Sequence, residues 1–229
     1  MGRFSGKVAI VTGGGKGIGR KISERLAEEG AAVAINYSKS AKESEAVVAA
    51  IEAKGGKAMA MQADMANVKE IRAFFAAVDK RFGRLDMLVN NAGTTERFGT
   101  DRSFETLTEE QFDIVFDVNC KGVLFASQEA ARRLPPGGSI VMIVSSSGDF
   151  PVAKLTLYTA SKTVPRAFTS IWAKELGPRG IRVNAVSSGP VDVGMTEGAS
   201  ETVMNYLKTP IRLNATDAAR KLRASSPFS

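Results

Sequence analysis

Short apolar runs alternate with stretches of helical spacing along most of the chain. Lys7-Val-Ala-Ile-Val-Thr12 is an apolar run that ends in glycines, which predicts a buried strand. Ile18, Ile22 and Leu26 then recur at helical spacing between Gly17 and Gly30, where the glycine predicts the helix end. The same reading predicts a strand over 31–37, a helix over 41–54 that stops at Gly55-Gly56, and a strand over 57–62. A helix over 68–82 closed by Gly83 and a strand over 85–90 follow. In the second half, Thr108-Glu109-Glu110-Gln111 predicts a capping box that opens one long helix reaching about Leu134. Pro135-Pro136-Gly137-Gly138 breaks it, and a strand over 139–144, a helix over 156–176 and a strand over 181–186 come next. Strands joined by helices of this length predict an α/β protein with a parallel sheet covered on both faces. No linker or repeat interrupts the rhythm, so one doubly wound domain over 1–229 is expected.

Composition narrows the chemistry. With 229 residues the chain suits one compact domain that needs no covalent staples. The absence of histidine excludes Ser-His-Asp and Cys-His catalysis and any His-ligated metal. A single cysteine leaves no internal disulfide and no Cys-rich zinc site, so no metal is expected. No apolar run approaches the roughly 18 residues of a membrane span, and Val8–Val11 is too short for a signal-peptide core. A cytoplasmic protein without membrane contact is the expectation. The net charge of +7 raises the question of nucleic acid, but residues 201–229 hold +3 of it and no block of five basic residues occurs. No nucleic-acid partner is expected.

Candidate chemistry begins at Thr12-Gly13-Gly14-Gly15-Lys16-Gly17-Ile18-Gly19, between the first strand and the first helix. Glycines let the backbone turn sharply and approach a pyrophosphate, and the helix N-terminus points free N–H groups at that anion. A dinucleotide site for NAD places an acid at the end of the second strand to hold the ribose 2′-hydroxyl. Here the chain has Asn36, Tyr37, Ser38 and Lys39 instead. Asn, Ser and Lys can hydrogen-bond or neutralise a 2′-phosphate, and Lys16 sits in the adjacent loop. The expected cofactor is NADPH, with NAD the alternative.

The glycines match the pattern T-G-x-x-x-G-x-G. Asn90-Asn91-Ala92-Gly93 follows the fourth strand. Asn119 lies in Asn119-Cys120-Lys121-Gly122, Ser145 follows the fifth strand, and Tyr158-Thr159-Ala160-Ser161-Lys162 and Arg182-Val183-Asn184-Ala185-Val186 come after. In this order, over residues 5 to about 220, the motifs resemble the short-chain dehydrogenase/reductase family, in particular its 3-oxoacyl reductase-like members. The resemblance implies a Rossmann fold. It also implies that Tyr158 is the general acid–base and that Lys162, four residues on and on the same helix face, tunes it and holds the nicotinamide ribose. A free tyrosine titrates near 10, so work near neutrality asks for roughly 4 kcal/mol of differential stabilisation. By the same resemblance Ser145 polarises the substrate carbonyl, and Asn119 marks a helix irregularity that positions a relay water. Asp64 and Met65 lie by the adenine, Asn91, Ala92 and Gly93 lie against the cofactor, and Gly189 and Val191 line its nicotinamide end.

The chain departs from the family pattern in three places. In Ser188-Gly189-Pro190-Val191-Asp192-Val193, a serine stands for the usual proline and Val193 for a threonine. Pro165 falls inside the helix of Tyr158 and is expected to bend or weaken it. Residues 220–229 form an atypical tail without a strand pattern, so a sheet of six strands is expected, its seventh missing and its sixth-strand edge open. The substrate segment is expected at 192–207, with Met195, Val203, Met204 and Leu207 as its apolar positions. The function expected from the resemblance is NADPH-dependent reduction of a ketone or 3-oxoacyl-type carbonyl. The alternatives are an NAD-linked alcohol or sugar dehydrogenase and a dinucleotide-binding protein with impaired turnover. Small-molecule carbonyl or alcohol substrates and a homodimer through the helices at 108–134 and 156–176 complete the expectation, a tetramer being less favoured.

Overall fold

The central strand β1 (Val8–Val11) is buried at every position, because both of its faces are covered. It pairs in parallel with β2 (Ala32–Tyr37) on one side and β4 (Met87–Asn90) on the other. β3 (Lys57–Gln62) pairs with β2, β5 (Ser139–Ser145) with β4, and β6 (Arg182–Ser188) with β5, all parallel. The sheet order is therefore β3-β2-β1-β4-β5-β6. This computed structural model describes residues 2–95, 103–151 and 153–189. Val191, Val193, the segment 192–207 and the tail 220–229 lie outside the described residues.

Helices α1 (Gly17–Glu28) and α2 (Ala41–Ala53) cover one face, where Val47 and Ile51 pack on Val11, Val33 and Ile35. The other face carries α3 (Val68–Phe82), α4 (Glu109–Phe116), α5 (Val123–Arg133) and α6 (Thr156–Leu176). Its core is built on Ile71, Phe74, Phe75, Ala126, Ile140 and Met142. Covering both faces is why these strands read as continuous apolar runs rather than alternating ones. Strand order reverses between β1 and β4, and in such sheets ligands bind in the crevice beyond the carboxyl ends of the strands at that point.

The helix ends follow local chemistry. Asn67 caps α3 by accepting from Lys69 N and Glu70 N, and Gly83 closes it at φ +73. The Thr108–Gln111 capping box is present at the start of α4. The single helix expected to reach Leu134 is instead α4 and α5 separated by a π-helical turn, Asp117–Gly122, with Asn119 buried inside it. The irregularity implied at Asn119 is therefore present, as a π turn, a feature that recurs at functional sites. Pro165 does not break α6, which runs uninterrupted through it. β5 and β6 each reach further than predicted, to Ser145 and Ser188. Among the described residues no helix is long and apolar enough to cross a membrane, and no cluster of His, Cys, Asp and Glu has the makings of a metal site.

Candidate active site

The loop from β1 to α1 begins by stitching two strand ends together. Thr12 Oγ1 accepts from the backbone N–H groups of Asn91 and Ala92, both at 3.0 Å. Asn91 Nδ2 donates to the carbonyls of Thr12 at 2.9 Å and Gly13 at 3.1 Å. Gly13 sits at φ +62, a conformation costly for any side chain. At Gly15 a Cβ would come within 2.0 Å of Ser44 Oγ, so the loop lies hard against α2. Gly17, Ile18 and Gly19 form the first turn of α1, which has no side-chain cap and no acidic residue. Its N–H groups and the positive end of its dipole are left for an anion, so a dinucleotide pyrophosphate fits here.

Asn36 corrects one expectation. Its side chain is buried and turned inward: Oδ1 accepts from Gly13 N at 3.3 Å and Nδ2 donates to the Ala63 carbonyl at 2.7 Å. Both ends are used in tying β2 to the glycine loop and to the end of β3, so the side chain is not a phosphate ligand. Tyr37 is half-buried, and Ser38, Lys39 and Lys16 are exposed. Among the described residues neither Lys16 nor Lys39 has an ion pair. At the end of β3, Asp64 is exposed and its Oδ1 accepts from Ala66 N at 2.9 Å, while Met65 is buried.

A second cluster gathers beyond β4 and β5. Asn119 Oδ1 accepts from Thr94 N, and its Nδ2 donates to the Thr94 carbonyl and to Ser161 Oγ, each at 2.8 Å. Lys162 Nζ donates to the Ile143 carbonyl at 3.2 Å. Gly93 is where these groups converge, for a Cβ there would lie 2.9 Å from Lys162 Nζ and 3.2 Å from Asn119 Oδ1. Tyr158 lies one turn before Lys162 on α6 and is half-buried. Ser145, two residues beyond Ile143 and on the same face of β5, ends that strand. Its Oγ accepts from Ser147 N at 3.1 Å, which orients the hydroxyl. Gly189 follows β6, where a Cβ would be 4.0 Å from Ser146 Oγ.

Burial pulls the Lys162 ammonium down to about 8, opposed by attraction to the Cys120 sulfur. Burial pushes the Cys120 thiol up to about 11, with Lys162 pulling the other way. Motif reading passed over Thr12, Thr94 and Ser161, although Thr12 and Ser161 stand inside quoted motifs. Thr94 contributes only backbone groups and leaves no signal in residue type.

A parallel sheet with an open phosphate-type loop at its switch point, and a buried lysine and asparagine beside it, defines a dinucleotide-binding enzyme of the Rossmann class. The short chain dehydrogenase profile matches residues 7–203. An uncharacterised oxidoreductase of Methylorubrum extorquens is 46% identical over 198 residues, covering 86% of this chain and 77% of that protein. Hydroxynaphthalene reductase of Aspergillus fumigatus is 41% identical over 192 residues, covering 84% of this chain and 69% of the relative. A short chain dehydrogenase from Burkholderia cenocepacia, solved in complex with NADP, superposes with a TM-score of 0.81 at 46% identity, over 86% of this chain and 80% of that one. The chain belongs to the short-chain dehydrogenase/reductase family and is an NAD(P)-dependent oxidoreductase.

Proposed function

We propose that the protein reduces a ketone, of 3-oxoacyl or similar type, with NADPH. The observation that carries this reading is the convergence of Gly93, Asn119 and Lys162 beyond β4 and β5, with Tyr158 one turn away and Ser145 ending the neighbouring strand. The name of the Aspergillus relative, a reductase of a hydroxynaphthalene, and the NADP held by the Burkholderia structure support it.

NADPH supplies the hydride when bound. Tyr158 donates the proton to the substrate oxygen. Ser145, whose Oγ already accepts from Ser147 N, has its own proton to give to the substrate carbonyl and so polarises it. Lys162 holds the nicotinamide ribose, and its charge lowers the cost of the tyrosinate that forms. Asn119 holds the π turn against Thr94 and supports the proton relay. Gly13, Gly15, Gly17, Ile18 and Gly19 would frame the pyrophosphate, with Asn91, Ala92 and Gly93 along the cofactor and Gly189 toward its nicotinamide end. Asp64 and Met65 border the adenine. Tyr37, Ser38, Lys39 and Lys16 receive the 2′-phosphate, with Asn36 shaping the loop behind them.

The test is turnover of a ketone panel with NADPH and NADH. Tyr158→Phe and Ser145→Ala are expected to lower kcat by roughly 10²–10⁴-fold while NADPH binding persists. Folded, NADPH-bound wild-type protein that reduces none of the ketones overturns the reading. We also place the protein in the cytoplasm, and as a homodimer through α4, α5 and α6, whose Phe112, Ile114, Leu124 and Ile171 are exposed in the single chain. Light scattering at the mass of a monomer would remove the dimer.

A further inference from the structure

Pro165 leaves a debt inside α6. Having no N–H, it cannot donate the helical hydrogen bond that the Ser161 carbonyl would receive. Ser161 is wholly buried, so water cannot make up the loss. The partner comes from the neighbouring π turn: the Cys120 thiol donates to the Ser161 carbonyl at 3.4 Å. The residue before it, Asn119, donates through Nδ2 to Ser161 Oγ at 2.8 Å, and Ser161 Oγ donates in turn to the Tyr158 carbonyl at 2.8 Å. Two consecutive residues of the π turn thus grip the side chain and the main chain of one serine. That serine lies between Tyr158 and Lys162, and Gly122 at the end of the π turn rests on Met65.

We propose that Ser161 is a positioning residue: its hydroxyl and its proline-orphaned carbonyl are the two points at which Asn119 and Cys120 fix the turn of α6 that carries Tyr158 and Lys162. The proposal rests on the reading of Tyr158 and Lys162 given above. It also assigns a role to Cys120, as the neutral donor that takes the place of the missing helix N–H. Among the described residues, the titratable side chains shown to interact at this junction are Lys162 on α6 and Cys120 on the π turn. The raised thiol pKa keeps Cys120 in its donor form through neutral pH.

The test is a double-mutant cycle between Cys120→Ala and Pro165→Ala, with Cys120→Ser as the conservative variant. Pro165→Ala returns a helix N–H to the Ser161 carbonyl, so it should make the thiol redundant. With Pro165 in place, Cys120→Ala is expected to lower Tm by several degrees and kcat about 10-fold, with the KM for NADPH within about 3-fold, as for contacting residues that act as a unit. Cys120→Ser, which keeps a donor, is expected within about 3-fold of wild type in kcat. In the Pro165→Ala background, Cys120→Ala is expected to cost less than about 3-fold. Ser161→Ala should move the Tyr158 titration, read as the tyrosinate absorbance lost in a Tyr158→Phe control. Equal losses from Cys120→Ala in both backgrounds, or an unmoved Tyr158 titration in folded Ser161→Ala protein, overturn the proposal. Should Cys120→Ala not fold, failure of Pro165→Ala to restore folding overturns it too. The Tm cycle and the titration need no substrate, so a protein that reduces no ketone would defeat the function reading while leaving this one tested.

Discussion

At the residue scale, Lys162 shows how a buried charge is held at the expense of stability. Its ammonium titrates at about 8 in the folded chain against an ordinary value of 10.5. Between those values the unfolded chain binds more protons than the folded one, so stability rises with pH across that window, and below about pH 8 the full penalty is present. The penalty is on the order of 3 kcal/mol. Lys162→Met has no charge to bury, so it should stabilise the unliganded protein at neutral pH and flatten its pH dependence between about 8 and 10.5. Urea denaturation of both proteins on either side of that window checks this; a variant less stable than wild type at neutral pH would refute it. The Tyr158–Lys162 pair was legible in the sequence because the family resemblance singles it out and helix geometry puts residues four apart on one face. The role of Asn36 was not, because the partners that turn its side chain inward, Gly13 N and the Ala63 carbonyl, come from two other elements. An Asn at the end of a strand reads the same whether its amide faces a ligand or the backbone.

At the element scale, periodicity located the six strands and the longer helical stretches of the described chain, since apolar runs and glycine or proline breaks are local signals. It joined α4 and α5 into one helix because a π turn inserts its extra residue without changing the hydrophobic stripe on either side. Asn119 was the only local hint, as a poor helix former in mid-helix. The continuity of α6 through Pro165 was hidden for a related reason: the compensating donor sits 41 residues away, on Cys120. Backbone approach to the π turn is equally non-local. At Gly122 a Cβ would meet the Met65 carbonyl oxygen at 2.3 Å. Gly122→Ala therefore has to lift the π turn away from the segment after β3. It is expected to cost about 2–3 kcal/mol, a fall in Tm of roughly 5–10 °C. Differential scanning calorimetry measures it, and an unchanged Tm would mean that the segment after β3 yields freely.

At the scale of the whole molecule, charge and topology meet at one place. The +7 net charge has no basic block to give it direction. The glycine loop supplies the direction: Gly14 N donates to the Asn36 carbonyl at 3.2 Å, which ties the loop that holds Lys16 to the carboxyl end of β2, where Ser38 and Lys39 follow. With no acid at the end of β2 itself, no carboxylate there accepts from a ribose 2′-hydroxyl or repels a 2′-phosphate. A ligand that binds only the folded state stabilises it by about 2.7 kcal/mol at a hundred times its Kd. For a chain of this size that is a rise in Tm of roughly 5–10 °C. NADPH is therefore expected to raise Tm by that amount, and NADH at the same concentration by clearly less. Lys39→Glu should reverse the order, since the new carboxylate repels the 2′-phosphate and accepts from the 2′-hydroxyl. Thermal shifts of both proteins with both cofactors test this together. Equal shifts from NADPH and NADH in the wild-type protein would detach Lys16 and Lys39 from cofactor choice and leave the glycine loop as the source of affinity.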